Sequence, residues 1–518
     1  MTKNIFITAL AFFAITANAQ SPSDKLWHLQ PYSKTGNSGI GLEEAKELVK
    51  GKTPETVIVA IADAGVDIEH PDLKTMLWTN KDEIPDNGID DDNNGYIDDV
   101  YGWNFCGETT FDNMELTREY ARLNAKYELQ IRHLTNVAEY NRYLELKEKY
   151  HKEHEEAKQT FGILELIMGG MEALEENHGE EMTIEEVQNH PPRNKKEQIA
   201  KNILLANAKR SKDPFDFKAL KDEMQEGYDH YDFMYNYAYN ANFDPREKKV
   251  GDDYANATET GYGNNKVYYG ERFSNHGTHV AGIVAADASN DFGAEGICQS
   301  CEIMSIRNVP EGDERDKDVA NAIRYAADNG AKIVNMSFGK GYAYRPEVVQ
   351  DAIRYAESKG VLLIHAAGNS GQNNDESDNF PNDNNDAYNN WIEVGASNWE
   401  EKPAALAVFS NYGKQEVDLF APGVAIYSTT PEGQYEAFDG TSMASPVVAG
   451  VAAFVWSYYP TLTAAQLKEI LVNSAIPIKG RNRIPGSRRK KGVKKLSKTG
   501  GEVNLPAALI LAELMLNK

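Results

Sequence analysis

The chain contains little cysteine and is short of positive charge. Three Cys occur in 518 residues, and 54 Lys and Arg residues stand against 79 Asp and Glu, which gives a formal net charge of −25. This charge argues against nucleic acid or an anionic membrane surface as the main partner. The hydrophobic content of 41% is that of a globular protein. The length predicts roughly two to four domains.

Long apolar runs are also missing beyond residue 20, so we expect no membrane span in the mature protein. The first stretch, MTKNIFITALAFFAITANAQ, has one Lys, a short apolar segment and the small residues Ala17 and Ala19 around Asn18. This pattern is typical of a signal peptide, here residues 1–19, with a membrane anchor or a first strand as the alternative. Export, to the periplasm or the medium, is therefore expected.

The few cysteines exclude a disulfide-built scaffold. Cys298 and Cys301 form a C-x-x-C pair in GICQSCEIM. A zinc site would need a second pair of ligands, and none stands nearby in the sequence. In an oxidising compartment a local disulfide is favoured, and two buried thiols are the alternative.

Alternating strand and helix patterns dominate the chain from about residue 302. The strand-like stretches EIMSIRNV, KIVNMSFG and VLLIHAAGN are apolar throughout, and the helix-like stretches between them end at Gly330 and Gly360. Strands that are apolar on both faces favour a parallel sheet covered by helices on both sides. We therefore predict an α/β fold with a doubly wound, mainly parallel sheet. In such sheets reactive residues gather at the carboxyl ends of the strands.

Residues 108–250 have a different composition, rich in Glu, Lys, Tyr and Leu, and predict an α-helical insertion. One or two long amphipathic helices are expected over residues 116–159, with breaks at Gly169-Gly170 and in HPPRN. Residues 20–107 and 251–518 then form the two parts of the α/β domain.

Three residues of the types needed for nucleophilic catalysis stand in suggestive contexts. Ser442 opens an apolar helix in DGTSMASPVVAG, with Pro446 close to the first turn, and a helix N-terminus stabilises an anion beside it. His276, in NHGTHVAG and predicted to lie just before an apolar helix, is the natural base for a Ser hydroxyl at neutral pH. Asp63 ends the apolar run in VIVAIADAGVD and can fix the tautomer of that base.

These stretches resemble the subtilisin-like serine peptidases of the subtilase family, which carry Asp, His and Ser in this order. The matching motifs are ADAGVDIEHPDL, HGTHVAG, LIHAAGNSG and GTSMASP, and the resemblance covers roughly residues 50–106 and 270–518. It implies that Asn369 completes an oxyanion hole with the backbone N–H of Ser442. It also implies that substrate backbone pairs with the strand NMSFGK at Ser337, Phe338 and Gly339.

The resemblance implies a secreted or periplasmic serine endopeptidase that acts on protein or peptide substrates without an organic cofactor. The alternative is a binding or scaffolding protein that keeps the fold, has a blocked site and holds its partner through the helical insertion. Phosphonate labelling of the nucleophile discriminates the two.

The sequence departs from the family in ways that bear on activity. Ala64 follows the acid where the family has Ser or Thr; one lost hydrogen bond is worth about 0.5–1.5 kcal/mol, so we expect an altered rate and a working site. The insertion between Asp63 and His276 is expected to narrow access to the cleft. The acidic loop after Asn369, SGQNNDESDNF, hints at a basic residue before the scissile bond.

The acidic loop 86–99 predicts a calcium site. Asp90, Asp92, Asn94 and Asp98 follow the start of an EF-hand-type loop, in which alternate oxygens converge on one hard cation. The Glu expected at the twelfth position is absent, so Asp98, Asp99 or a distant acid has to replace it. The alternative is an acidic turn without a metal.

A basic segment, KGRNRIPGSRRKKGVKKLSKTGG, stands near the end of this acidic chain. A solvated loop that docks on an acidic neighbour is the favoured interpretation, and a site for a polyanion is the alternative.

Overall fold

The structure is a computed structural model that describes residues 25–31, 39–128, 136–211, 214–290, 292–384, 387–399 and 405–517. The predicted signal peptide, residues 1–19, lies outside these residues. The chain divides into two compact units. The helical unit comprises Phe111–Asp244, and the sheet unit comprises Gln20–Thr110 and Pro245–Lys518.

A nine-stranded sheet forms the centre of the sheet unit, in the order β10-β13-β7-β6-β5-β4-β1-β3-β2. Every neighbouring pair is parallel except β10 and β13. Two antiparallel hairpins, β8-β9 and β11-β12, stand apart from it. The strands are β1 Val57–Asp63, β2 Gly102–Asn104, β3 Cys301–Arg307, β4 Ile333–Met336, β5 Leu362–Ala366, β6 Trp391–Ser397, β7 Leu419–Pro422, β8 Ile426–Thr430, β9 Gln434–Phe438, β10 Ile476–Pro477, β11 Arg481–Arg483, β12 Lys490–Gly492 and β13 Gly501–Glu502.

Helices cover both faces of the sheet and build the whole of the helical unit. Short 3₁₀ turns lie at Trp27–Leu29, Ala288–Asn290 and Val493–Lys495, and π turns at Met234–Ala238 and Arg246–Val250. No helix of the described ranges is both long and apolar enough to cross a bilayer. The α-helices are α1 Leu42–Leu48, α2 Glu115–Tyr127, α3 Val137–His178, α4 Ile184–Asn189, α5 Lys195–Arg210, α6 Phe217–Phe233, α7 Glu271–Ala285, α8 Asp316–Asp328, α9 Pro346–Ser358, α10 Thr441–Tyr458, α11 Ala464–Ser474 and α12 Leu505–Leu516.

The two faces of the sheet carry separate cores, which confirms the doubly wound fold. On one face α7 and α10 pack against the strands, with Val447 and Val451 in the same buried cluster as Ile364. On the other face α8 and α9 bury Ile323 and Ile353. Fully burying one such side chain contributes about 1.5–3 kcal/mol to stability. A strand that is apolar on both faces is therefore stabilised by the helices on each side of the sheet.

The predicted strands and helices after residue 302 are confirmed as β3, α8, β4, α9 and β5. Both glycines predicted to end helices are left-handed, with φ of 84° at Gly330 and 74° at Gly360. The strand predicted over KIVNMSFG is shorter than expected, since β4 ends at Met336. The local disulfide between Cys298 and Cys301 is also confirmed.

The predicted break at Gly169-Gly170 is wrong. Helix α3 runs unbroken through both residues for 42 residues. The reason is close helix packing: a Cβ on Gly170 would lie 2.3 Å from the carbonyl oxygen of Lys196 and 2.8 Å from the Cβ of Ala200, both on α5. The glycine is therefore needed for the approach of two helices. The break predicted in HPPRN is confirmed, because α4 ends at Asn189 and α5 begins at Lys195.

Backbone hydrogen bonds close the base of the insertion within the sheet unit. Asn104 and Asn264 exchange two backbone bonds of 2.9 and 3.0 Å, and the Glu108 N–H donates to the Lys249 carbonyl at 2.8 Å. The chain therefore leaves and re-enters the sheet unit at adjacent points. This junction directly follows β2, the edge strand whose Asn104 pairs with Arg307 of β3.

Glycine substitutions in α3 test the packing explanation. Gly170→Ala should lower the free energy of unfolding by about 1–3 kcal/mol, because its methyl group meets the backbone of α5. Gly162→Ala is the matched control, since a Cβ there meets nothing within 4 Å. It should raise stability by about 0.5–1 kcal/mol through helix propensity. Denaturant unfolding followed by circular dichroism measures both, and equal effects would contradict the explanation.

Candidate functional site

The carboxyl ends of three adjacent strands deliver the candidate residues. Asp63 is the last residue of β1, Ser337 follows the end of β4, and Asn369 stands three residues beyond β5. Because β5, β4 and β1 are neighbours in the sheet and run parallel, these ends meet at one edge. The strand order therefore brings together residues that are far apart in the sequence.

Asp63 and His276 form a hydrogen-bonded pair. The His276 Nδ1 donates to Asp63 Oδ1 at 2.8 Å, and the Ala64 N–H donates to the same oxygen at 2.7 Å. The Asp63 side chain is buried, and its Oδ2 accepts no hydrogen bond from any residue that the structure describes. Ala64 has no hydroxyl to offer that oxygen.

His276 lies inside α7, one turn after its start, where the sequence predicted a position just before the helix. Helix α7 can pack closely against the segment after β1 because Gly277 has no side chain: a Cβ there would lie 2.3 Å from the Gly65 carbonyl oxygen. The imidazole keeps 40% of its surface exposed. Its pKa is lowered by burial but raised by the charge and hydrogen bond of Asp63, and the net shift is upward from 6.5.

Ser442 is the second residue of α10, so its N–H belongs to the first turn, which has no partner within the helix. Its Oγ donates to the Ser337 carbonyl at 3.1 Å. Pro446 lies four residues later and has no N–H to give the Ser442 carbonyl. The Ser337 Oγ supplies that bond at 2.9 Å and also contacts Ser445 Oγ at 2.9 Å. The sequence did not suggest this role for the Ser337 side chain.

Asn369 is oriented by Thr441. Both the backbone N–H and the Oγ1 of Thr441 donate to Asn369 Oδ1 at 2.9 Å. With Oδ1 held in this way, the Nδ2 of the exposed Asn369 has no hydrogen-bond acceptor among the described residues. Its amide and the Ser442 N–H thus provide two donors for a negative oxygen. Thr441 was missed by sequence reasoning, although it is part of the GTSMASP motif.

The segment 337–339 leaves the sheet after β4. Ser337 is turned inward as described, and Phe338 is partly buried against the core of α8 and α9. Gly339 lies against Asn379, whose Oδ1 would be 2.6 Å from a Cβ at that position. The Asn379 amide donates to the carbonyls of Ala366 and Ala367 at 3.2 and 3.1 Å. The backbone of 338–339 therefore remains the candidate surface for an extended chain.

An acidic cavity adjoins Asn379. Six carboxylates line it, three of them from the loop after Asn369 that the sequence marked as acidic. Burial, followed by the charge of Asp383, raises the pKa of Glu416 to about 7. The cavity favours a cationic group over an anionic one. The carboxylates belong to Asp375, Glu376, Asp378, Asp383, Glu393 and Glu416.

In the acidic loop two of the four predicted metal ligands, Asp90 and Asp92, lie beside Glu83, which the sequence did not single out. Carboxylate oxygens of Glu83, Asp90 and Asp92 lie within 4.8 Å of one another and form a possible metal site. Glu83 is the distant acid that the loop pattern required, and its position before the loop was the available signal. Asp98 accepts hydrogen bonds from two backbone N–H groups, and Asn94 Oδ1 accepts one from Tyr96.

Titration of His276 tests the pair with Asp63. In the Ser442→Ala background, NMR should give the His276 imidazole a pKa above 6.5. Asp63→Asn should move this pKa below 6.5, because burial then acts without the opposing charge. Asp67→Asn, a buried acid that contacts Thr278, is the control and should leave the value unchanged. A pKa that does not respond to Asp63→Asn would rule out the pair.

A sequence model of the Subtilase family matches residues 55–502. A thermophilic serine proteinase of Bacillus sp. (strain AK1) is 42% identical over 185 residues, 36% of this chain and 43% of that protein. The chain thus spans less than half the length of this relative. Subtilisin DY of Bacillus licheniformis is 36% identical over 202 residues, 39% of this chain and 70% of that protein. Thermitase of Thermoactinomyces vulgaris is 37% identical over 206 residues, which are 40% of this chain and 68% of that protein. The family model covers most of the length of this chain, and the chain therefore belongs to the subtilase family.

Proposed function

We propose that this protein is a serine endopeptidase in which Ser442, His276 and Asp63 hydrolyse peptide bonds through an acyl-enzyme. The observation that carries the proposal is the 2.8 Å bond between His276 Nδ1 and Asp63 Oδ1 at the sheet edge that also holds Ser442 and Asn369. A base fixed by a buried acid, a hydroxyl at a helix N-terminus and two free N–H donors are the parts that acyl transfer requires.

Each group has one task in this reaction. His276 takes the proton of Ser442 Oγ, which attacks the peptide carbonyl carbon. The Asn369 Nδ2 and the Ser442 N–H donate to the oxygen that becomes negative. His276 then gives its proton to the departing amine, and a water molecule, activated by the same base, releases the acid. Asp63 holds the imidazole and stabilises its charged form.

The proposed substrates are proteins or peptides in extended form, bound along the backbone of 337–339. Restricted access to the cleft is part of the proposal. It is supported by the point at which the insertion leaves the sheet unit, directly after β2. Asn104 of β2 pairs with Arg307 of β3, and Arg307 pairs in turn with Asp63 of β1. The chain thus enters the insertion within a few residues of Asn104, which lies two strands away from Asp63 in the sheet.

Calcium is the proposed occupant of the site formed by Glu83, Asp90 and Asp92. Hard carboxylate oxygens suit this cation. Glu83 also accepts the N–H groups of Asp91 and Asp98, so one side chain holds the middle and the end of the loop. The metal would stabilise the loop between β1 and β2 and take no part in the reaction.

Export is proposed for the mature protein. The signal-peptide pattern in residues 1–19 supports it, and so does the disulfide between Cys298 and Cys301, since such bonds persist in oxidising compartments. Cell fractionation with N-terminal sequencing tests it, and an uncut chain in the cytoplasm would refute export.

Replacement of the nucleophile tests the proposed activity. The wild type should cleave unstructured peptides and bind a fluorophosphonate covalently, because both require the activated Ser442 hydroxyl. Ser442→Ala should do neither, while Ser445→Ala, one turn along in α10, should still be labelled. An unlabelled wild type would favour the blocked scaffold, and peptide cleavage by Ser442→Ala would refute the assignment.

Replacement of residues 111–244 by a short Gly-Ser linker tests restricted access. The Glu108–Lys249 hydrogen bond holds the two ends close enough for such a linker. Cleavage of casein, a large protein substrate, relative to that of a short peptide should rise in this variant. An unchanged ratio, with a normal rate on the short peptide, would contradict a restricting role.

Thermal unfolding tests the proposed metal site. Calcium at about 100 times its Kd should add about 2.7 kcal/mol to the stability of the wild type. Glu83→Gln should abolish this gain, and Glu55→Gln, an exposed acid outside the loop, should keep it. Calorimetric titration with calcium alone gives the second readout, and equal binding by Glu83→Gln would exclude the site.

A further inference from the structure

The basic segment folds into a cationic hairpin, defined here as residues 481–495. Strands β11 and β12 pair antiparallel, with Arg483 opposite Lys490. No acidic residue occurs within it. None of its cationic side chains is ion-paired with a carboxylate of the described residues, and all are exposed. They are Arg481, Arg483, Arg488, Arg489, Lys490, Lys491, Lys494 and Lys495.

The hairpin is seated firmly on the sheet unit. Ile484, Val493 and Leu496 are buried in one apolar cluster with Leu406 and Phe420. At the tip, the Ser487 N–H donates to the Ile484 carbonyl at 3.0 Å. The positive charges are therefore presented from a fixed backbone, and binding a ligand to them costs little ordering of the main chain.

The tip of the hairpin touches the loop that carries Asn369. A Cβ on Gly371 would lie 2.9 Å from the Cα of Gly486, so the two backbones are in direct contact. The Gly486 N–H donates to the Val408 carbonyl at 2.8 Å, and the Gly371 N–H donates to the neighbouring Phe409 carbonyl at 2.7 Å. A polypeptide with its carbonyl at Asn369 thus comes within a few residues of the cationic surface, since each extended residue spans roughly 3.3 Å.

A shallow groove beside the tip combines apolar and cationic groups. Its lining includes the exposed Val408, the buried Leu406 and Ile484, and the charged Arg483 and Arg488. Val408 is 64% exposed. Such a groove fits a peptide in which acidic residues alternate with an apolar one.

We propose that the cationic hairpin binds an acidic segment of the polypeptide that the active site cleaves. The charge of the rest of the molecule argues for this occupant: at a net charge of −25, an acidic chain is repelled elsewhere and attracted here. A long nucleic acid would face the same repulsion over its whole length. The inference rests on the proposed peptidase activity, because it assigns a substrate class to that site.

Matched peptides in the full-length protein test this proposal. Quenched fluorescent peptides share one cleavable core and carry either three Asp or three Asn at one end, in both orientations. At low salt the Asp peptide of one orientation should have a kcat/KM about fivefold higher, mainly through KM, because several exposed charge pairs form. High salt should remove the difference, since the Debye length falls to about 3 Å at 1 M.

Neutralisation of the hairpin identifies the surface. The fourfold variant R488Q/R489Q/K490Q/K491Q should lose the preference for the Asp peptide. The control K74Q/K81Q/K248Q/K249Q removes four exposed charges elsewhere in the sheet unit and should keep it. Equal loss of activity on both peptides in the hairpin variant would mean that the hairpin only supports the Asn369 loop, and would overturn the proposal.

A binding measurement separates this proposal from the proposed activity. Fluorescence anisotropy with Ser442→Ala should show tighter binding of the Asp peptide than of the Asn peptide, and the hairpin variant should abolish the difference. This result stands even if the wild type cleaves nothing. Binding of a single-stranded oligonucleotide at least as tight as that of the Asp peptide would overturn the proposal in favour of a general polyanion site.

Discussion

Parallel pairing of β1 with β4, and of β4 with β5, is the constraint on which the candidate site depends. Neighbouring parallel strands end at the same edge, so Asp63, Ser337 and Asn369 meet although 306 residues separate the first from the last (369 − 63). The apolar cores on both faces hold this register, because a slip by one residue would move each side chain into the opposite core, which is packed for other side chains. The geometry of the candidate site therefore depends on the packing of the two apolar cores, away from the site itself.

Helix α10 carries Ser442 and is attached to the carboxyl end of β4 by hydrogen bonds. Pro446 leaves the Ser442 carbonyl without its helical partner, and Ser337, the residue after β4, replaces that partner. The Ser337 hydroxyl also accepts from Asn335 Nδ2 and contacts Ser445, so its full hydrogen-bonding capacity is used. The sheet and the helix are thereby joined at the residue that has to be placed most accurately.

Much of this arrangement could be predicted from the sequence, because it is encoded in local patterns. Uniformly apolar strands and helix-ending glycines such as Gly330 identified the sheet, and four motifs identified the residues at its edge. The features that escaped prediction depend on partners distant in sequence. Gly170 resembles a helix breaker until α5 lies against it, and Glu83 is one more surface acid until Asp90 and Asp92 fold back towards it.

The closed stem at Asn104–Asn264 and Glu108–Lys249 makes the insertion a single side branch of the sheet unit. Closing a longer loop costs only about 0.6 kcal/mol for each doubling of its length. A segment at this position can therefore grow, acquire its own core and diverge while the strand ends beside it stay in place. In evolutionary terms, the branch is a module that can be lengthened or exchanged while the framework that carries the site is kept.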